Sequence, residues 1–538
     1  MRLMLLVLMP LLASFIVVLA PTRQAKWIAL IATMITFVYS LLLAWAFPGW
    51  GAAEFGFERE LTWLPSFGIT FSVGADSVAM MLVLLSTLLM PLCVWGSFTA
   101  ITSRVKEYYG WLLVIEAAMI GVFIARDLIF FYICFEFTLI PMFFLIALFG
   151  SNQLTRVRIA FKFFMYTFTG SILTLAGLVY VAWTYSAVND GTWTFSIPVL
   201  TDFAMSGGLT PTEQGWVLLA MLAGFGVKIP IFPVHTWLPL AHTEAPTAGS
   251  VILAAVLLKL GTYGLFRFLV PMLPDAVVTY APTIAVLAII GILYAALICW
   301  VQTDVKRLVA YSSVSHLGFC VLGLVALNPL GMQGSVLYMI NHGLSTGALF
   351  FLIGMIYERY HTRDMNEMSG LARRMPVWAT FMVFFVLASV GLPGLNGFVS
   401  EFLCLIAAFT STQDNATYPG PLGPWYAAVA GVGMIFAAMY LLIMVGKVVF
   451  GPLREPRHAH HGDEHGLPAD LTLREIGVLT PLAILCIVLG FKPGIATGAM
   501  EPAIEQALTA YERPMDDVMP PAEAQVHANN WNEVTIDG

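Results

Sequence analysis

The stretch G-F-G-V-K-I-P-I-F-P-V-H, Gly224 to His235, sets a lysine and two prolines inside an apolar run that extends from about residue 215 to 241. A helix cannot pass through it unbroken. Proline lacks an amide donor and its ring clashes with the preceding turn, while glycine permits backbone conformations that other residues resist. A second stretch, L-A-S-V-G-L-P-G-L-N-G-F from Leu387 to Phe398, does the same inside the run 376–411. Val227-Lys228-Ile229-Pro230 superposes on Val390-Gly391-Leu392-Pro393, so Pro230 and Pro393, with Gly391 and Gly394, mark two copies of one broken-helix element. Unwound backbone at membrane depth is tolerated only where protein or a water-filled cavity surrounds it, and paired interrupted helices point to a transport site near the midplane.

Composition places these runs in a membrane. Of 538 residues, 59% are hydrophobic and 11% charged, with a mean hydropathy of +0.85, against roughly 25% charged in soluble chains. A soluble enzyme and a secreted disulfide scaffold are excluded. So is a nucleic-acid binder, because the formal charge of −7 includes no basic stripe to track phosphates. Cys93, Cys134, Cys299, Cys320, Cys404 and Cys486 lie singly in apolar segments and read as small core hydrophobes. About fourteen stretches are long enough to cross a bilayer, so the expected fold is an all-α polytopic membrane protein.

Residues 1–100 are expected to hold three N-terminal transmembrane helices and an outer-face β-hairpin near 55–73, where strand-like alternation appears. Residues 108–270 form a first five-helix repeat and 277–450 a second. Five spans separate the breaks, and an odd number makes the second copy run inverted. Residues 471–492 form the last transmembrane helix, and 493–538 an outer-face amphipathic helix, Ile495 to Tyr511, with a tail. Sixteen Lys and Arg fall in one set of loops and six in the other, which puts both termini on the periplasmic side of a bacterial cytoplasmic (inner) membrane. His458, His460, His461 and His465 share an inner loop without helical spacing and read as solvated, not as metal ligands.

An ionisable side chain at the bilayer centre costs roughly 2.5–3.5 kcal/mol on insertion scales, so several together call for a use. A rise of about 1.5 Å per residue puts Glu136 roughly 13 Å from its helix start, and Lys228, Lys259, His316 and His342 on the order of 16–20 Å into their spans. Glu401, counted back from the end of its broken helix, lies comparably deep. All six share a level. Groups stacked along the membrane normal make a pore, whereas groups at one level make a chain within the membrane plane, so the pattern reads as a lateral proton wire. Glu136 and Lys228 read as a pair that stabilises both ions when close and drives the lysine to release its proton when the partner withdraws. Histidine changes charge near neutral pH, and His316 reads as a relay between Lys259 and Glu401. His235, His242 and Glu244, in H-T-W-L-P-L-A-H-T-E-A-P-T, form the inner end of the first broken helix and read as the place where protons are admitted from the cytoplasm.

Together these residues resemble the antiporter-like proton-pumping subunits of respiratory NADH:quinone oxidoreductase (complex I). The resemblance rests on F-E-F-T-L-I-P-M with Glu136, G-F-G-V-K-I-P-I-F-P-V-H-T-W-L-P-L-A-H-T-E-A-P-T with Lys228, V-L-L-K-L-G-T-Y-G with Lys259, D-V-K-R-L-V-A-Y-S-S-V-S-H-L-G with His316, and G-L-P-G-L-N-G-F-V-S-E-F with Glu401. It covers nearly the full chain and is closest to the M-type subunit, the counterpart of mitochondrial subunit 4, which also has glutamate in the second broken helix. It implies two inverted five-helix half-channels, an essential Glu136 and Lys228 pair, a central Lys259 and an exit at Glu401. It also implies partner membrane subunits, two of them antiporter-like, that meet the outer hairpin and C-terminal helix. Flavin, iron–sulfur clusters and quinone are expected in those partners and no cofactor in this chain, which shows no nucleotide loop, flavin motif or cluster ligands. Two alternatives stay open: a subunit of a multisubunit sodium/proton antiporter or membrane hydrogenase, and a structural or quinone-binding membrane subunit.

Overall fold

Six helix starts among the described residues are fixed by short polar side chains that accept otherwise free first-turn amides. The computed structural model, which describes residues 1–456 and 470–512, shows where they act. The loop of His458, His460, His461 and His465 and the chain after Glu512 lie outside the described residues. Helices α1 (Arg2–Leu19) and α2 (Thr22–Trp45) lead to an antiparallel hairpin of β1 (Gly56–Leu64) and β2 (Ile69–Ala75), where one is expected. Asp76 caps α3 (Ser77–Gly96) by accepting from Ala79 N at 2.8 Å. After α4 (Val105–Ile124), Asp127 caps α5 (Leu128–Phe137), accepting from Ile129 N and Phe130 N at 2.9 and 3.1 Å. Then come α6 (Leu139–Phe149), α7 (Arg156–Val188) and a short α8 (Ile197–Phe203) that the sequence pattern does not announce. Thr210 and Glu213 form a capping box at α9 (Pro211–Lys228), which is followed by α10 (Trp237–Glu244) and α11 (Thr247–Met272).

The second half repeats these devices. Past α12 (Pro274–Trp300), Asp304 caps α13 (Val305–Val325) and Asn328 caps α14 (Pro329–Tyr360). Helices α15 (Pro376–Val390), α16 (Asn396–Thr410) and α17 (Pro424–Val448) precede α18 (Leu473–Phe491), whose start is a Thr472 and Glu475 capping box, and α19 (Gly494–Leu508). Among the described residues, twelve segments are long and apolar enough to cross a membrane, with α5 and α6 counted as one. The two interrupted elements, α9 with α10 and α15 with α16, complete the fourteen expected. At 33 and 32 residues, α7 and α14 overrun what a crossing of about 20 residues needs.

Two departures from regular helix were not expected. The fifth span is interrupted at Thr138, three residues before Pro141, which has no amide to give the carbonyl of Phe137. Helix α11 contains two π-helical turns, Leu253–Leu257 and Leu265–Leu269, on either side of Lys259, and such turns leave backbone carbonyls open to other donors.

Burial is uneven in a way that positions the site. All of the membrane-crossing window of α11 and 94% of those of α13 and α14 are buried, against 33% for α1 and α2. Helices α7 and α9 approach closely, because a Cβ on Gly170 would lie 3.0 Å from Ala223 O and 3.2 Å from Gly224 Cα. The hairpin is pinned to the bundle by ion pairs of Arg126 with Glu58 and Arg267 with Asp76. The Phe55 ring lies 4.4 and 5.1 Å from the two guanidinium carbons. On the same face Tyr511, just past α19, donates to Val270 O at 2.6 Å.

Candidate functional site

The first break begins where α9 runs out of amide donors. It ends at Lys228, two positions before Pro230, whereas α15 ends at Val390, three before Pro393. The motif superposition is therefore one residue out at the helix ends. Lys228 is buried, and its Nζ donates to Thr138 Oγ1 at 3.3 Å and sits 4.4 Å from the centre of the Phe135 ring. Glu136 lies within electrostatic reach of Lys228 but forms no ion pair with it, so the two stand apart. The helix geometry explains this: Phe135 and Thr138 take the ammonium, while Glu136 turns to the face of Ile133, Phe137 and Ile140, which are 42%, 41% and 38% exposed. Glu136 is half-buried rather than enclosed, and its Oε1 is shielded without a hydrogen-bond partner.

The remaining four groups form two contacts; three of the groups lie on the most buried helices and Glu401 on α16. Lys259 Nζ lies 2.7 Å from His342 Nδ1 and donates at 2.5 Å to Ala254 O, a carbonyl inside the first π-helical segment of α11. His316 Nδ1 lies 3.2 Å from Glu401 Oε1. The two imidazole rings stand 5.8 Å apart, centre to centre, and neither Nε2 has a hydrogen-bond partner. His342, not His316, is thus the direct neighbour of Lys259. Tyr338, absent from the sequence-derived set, completes the cluster, with its hydroxyl 2.6 Å from His316 Nδ1 and a short hydrogen bond donated to Glu401 Oε1. Its place one helical turn before His342 is the signal that would have found it, but an aromatic in an apolar span reads equally as core.

The breaks hold these groups in place. Gly391 has φ +82°, and a Cβ there would sit 2.9 Å from Glu401 Oε2. Asn341 Nδ2 donates to Asn396 O at 2.7 Å and Asn396 Nδ2 to Asn341 O at 3.2 Å, tying the start of α16 to the middle of α14. Gly261, two residues after Lys259, packs on the first break, since a Cβ there would meet Ile229 Cγ1 at 2.6 Å. Pro230 and Pro393 lie in the unwound segments, and Gly394, with φ +93°, turns the second.

The residues expected to admit protons do not meet one another. His235 stacks at 5.8 Å on Phe232 and abuts Tyr294. His242 is fully buried against Phe350 at 4.6 Å, with both ring nitrogens unpartnered. Both oxygens of Glu244 are engaged, by Asn152 N and Thr155 Oγ1 at 3.0 Å each, which clamps α10 to the loop before α7. Lys306 and Glu116 are among the buried charges that escape the sequence-derived set. Lys306 donates to Ala245 O at 2.5 Å beside His242. Glu116, midway along α4, is 0% exposed with neither oxygen hydrogen-bonded, and the signal that picks out Glu136, a lone acid in an apolar span, applies to it equally.

A helical bundle with two broken helices and a cluster of buried ionisable groups defines a polytopic membrane protein. The chain belongs to the NADH:quinone oxidoreductase/Mrp antiporter transmembrane family, which matches residues 125–420. It is 41% identical over 500 residues to the NADH-quinone oxidoreductase subunit M of Rhodobacter capsulatus, covering 91% of this chain and 92% of that one. It is 38% identical to the NADH-ubiquinone oxidoreductase chain 4 of Marchantia polymorpha, covering 93% and 95%. Among solved structures, a chain of respiratory complex I from Thermus thermophilus with bound NADH superposes with a TM-score of 0.81 at 28% identity, covering 95% of this chain and 99% of that one.

Proposed function

We infer that this chain is an M-type antiporter-like subunit of NADH:quinone oxidoreductase that translocates protons through the buried row at its two breaks. The observation that carries the reading is the pair of contacts Lys259–His342 and His316–Glu401 between buried side chains, in a chain that matches its relatives over more than nine-tenths of its length. Glu136, Lys228, Lys259, His342, His316 and Glu401 are the proposed proton carriers. Lys228, held here by Thr138 and the Phe135 ring, keeps its proton while Glu136 is ionised nearby. Withdrawal of that charge leaves a cation in an apolar setting and favours release. An ammonium at Lys259 gives a proton to His342 Nδ1, and an internal water between the two imidazole rings, which stand 5.8 Å apart with neither Nε2 hydrogen-bonded, would carry it on to His316. Glu401 is the last acceptor, and His242, with Lys306 beside it, is the favoured route of uptake.

The proposal extends to the setting. The two five-helix units act as inverted half-channels, and redox chemistry at flavin, iron–sulfur clusters and quinone in partner subunits supplies the energy. The membrane is a bacterial cytoplasmic membrane with both termini on the periplasmic side, and the hairpin and α19 face neighbouring subunits. The test is Glu136→Gln in membranes where a native gel confirms assembly. NADH-driven quinone reduction and proton uptake into vesicles are expected to fall together by about ten-fold or more, in the range for loss of a positioned acid–base group. Unchanged turnover and pumping would return the buried charges to a structural role.

A further inference from the structure

The contact between His316 and Glu401 is not a simple pair. Their direct Nδ1 to Oε1 separation is 3.2 Å, longer than the roughly 2.7–2.9 Å of a good charge-assisted bond. The Tyr338 hydroxyl is closer to both, at 2.6 Å from Nδ1 and in a short hydrogen bond to Oε1. Tyr338 is 3% exposed and lies four residues before His342, so the helix that presents the partner of Lys259 also presents this phenol on the same face. The other ring nitrogen of His316 and the other oxygen of Glu401 have no hydrogen-bond partners. Every hydrogen bond by which these two groups can exchange a proton therefore runs through, or directly beside, one hydroxyl.

Resting on the proton-translocating reading above, we propose that Tyr338 is the relay through which a proton passes from His316 to Glu401. The Nδ1–H bond of the His316 imidazolium breaks as an O–H bond forms on Tyr338. The hydrogen that Tyr338 already carried moves to Glu401 Oε1. Imidazolium becomes imidazole, carboxylate becomes carboxylic acid, and the phenol ends neutral as it began. Rotation of its O–H restores the starting arrangement once Glu401 has passed its proton on. No oxidant or second reactant is required. A phenol suits this because it donates and accepts at one atom, and the rigid ring fixes that atom between the two elements.

The test uses the assembled complex in its membrane, with Glu136→Gln as a parallel control. Tyr338→Phe is expected to assemble and to lower quinone reduction and proton uptake together by about ten-fold, the 3.2 Å direct path being what remains. Replacement of Tyr338 by 3,5-difluorotyrosine, nearly the same in shape but a stronger acid, is expected to change the rate and its solvent deuterium effect. Full activity in Tyr338→Phe overturns the proposal. So does a difluorotyrosine enzyme indistinguishable from the parent while phenylalanine is slow, because the hydroxyl then only holds Glu401 in place. If Tyr338→Phe fails to assemble, the difluorotyrosine arm decides alone. If Glu136→Gln also pumps normally, the underlying proton-translocating reading falls and the relay with it, an outcome distinct from failure at Tyr338 only.

Discussion

Lys259 shows what a single residue contributes. It is fully buried, yet no carboxylate pairs with it among the described residues, and its contacts are an imidazole nitrogen and a main-chain carbonyl freed by a π-helical turn. Such partners hold an ammonium without trapping it, since an opposite charge would strengthen the protonated form. The identity of the cation therefore matters as much as its charge. Arginine does not lose its proton within a protein, so Lys259→Arg is expected to assemble but to pump at least ten-fold more slowly, measured as proton uptake by vesicles under NADH-driven turnover. Pumping at the parental rate would mean that only a fixed positive charge is needed at this position. Glu244 makes the opposite point. Its oxygens are both engaged in holding a loop, an arrangement that distinguishes it from His242, whose ring nitrogens are free to accept or give protons.

At the scale of the element, the second break acts as a mount for Glu401. Gly391 adopts a left-handed conformation and its missing side chain leaves the space that Glu401 Oε2 occupies. Gly391→Ala is expected to cost about 1–2 kcal/mol from the backbone alone and to displace the carboxylate, so coupled turnover should fall further than the thermal midpoint of the assembled complex suggests. A variant with lowered stability and parental turnover would show that the glycine serves only the backbone. Both breaks were legible in the sequence because proline and glycine act locally, and so were the hairpin and the six ionisable positions, whose apolar surroundings announce themselves. The interruption at Thr138 had its signal in Pro141. The π-helical turns of α11 had none, since residues such as Leu253 and Ala254 fit either helix and packing against neighbours decides. The same holds for contacts. That Lys228 meets Thr138 and Phe135 instead of Glu136, and that His342 stands between Lys259 and His316, depends on which helix faces turn together.

For the whole molecule, two arginines and one phenylalanine help join the hairpin to the bundle, and Asp76 carries a double load as cap of α3 and partner of Arg267. Asp76→Ala removes the cap and strands a largely buried guanidinium, at an expected cost of about 3 kcal/mol. The double variant with Arg267→Ala should recover part of that loss, because no unpaired charge remains. Thermal dissociation of the detergent-solubilised complex measures both, and a double variant worse than the single would show that Arg267 stabilises by packing instead. The sealed core of α11, α13 and α14 has a further consequence, electrical in kind. If Lys259, His342, His316 and Glu401 lie at the common depth that the sequence predicts, a proton moving among them travels along an equipotential of the membrane field. It does no work there against a voltage worth about 2.3 kcal/mol per charge for every 100 mV. The entire electrical load would then fall on the steps that bring a proton to this level and take it away, with the row carrying charge sideways from one of those steps to the other.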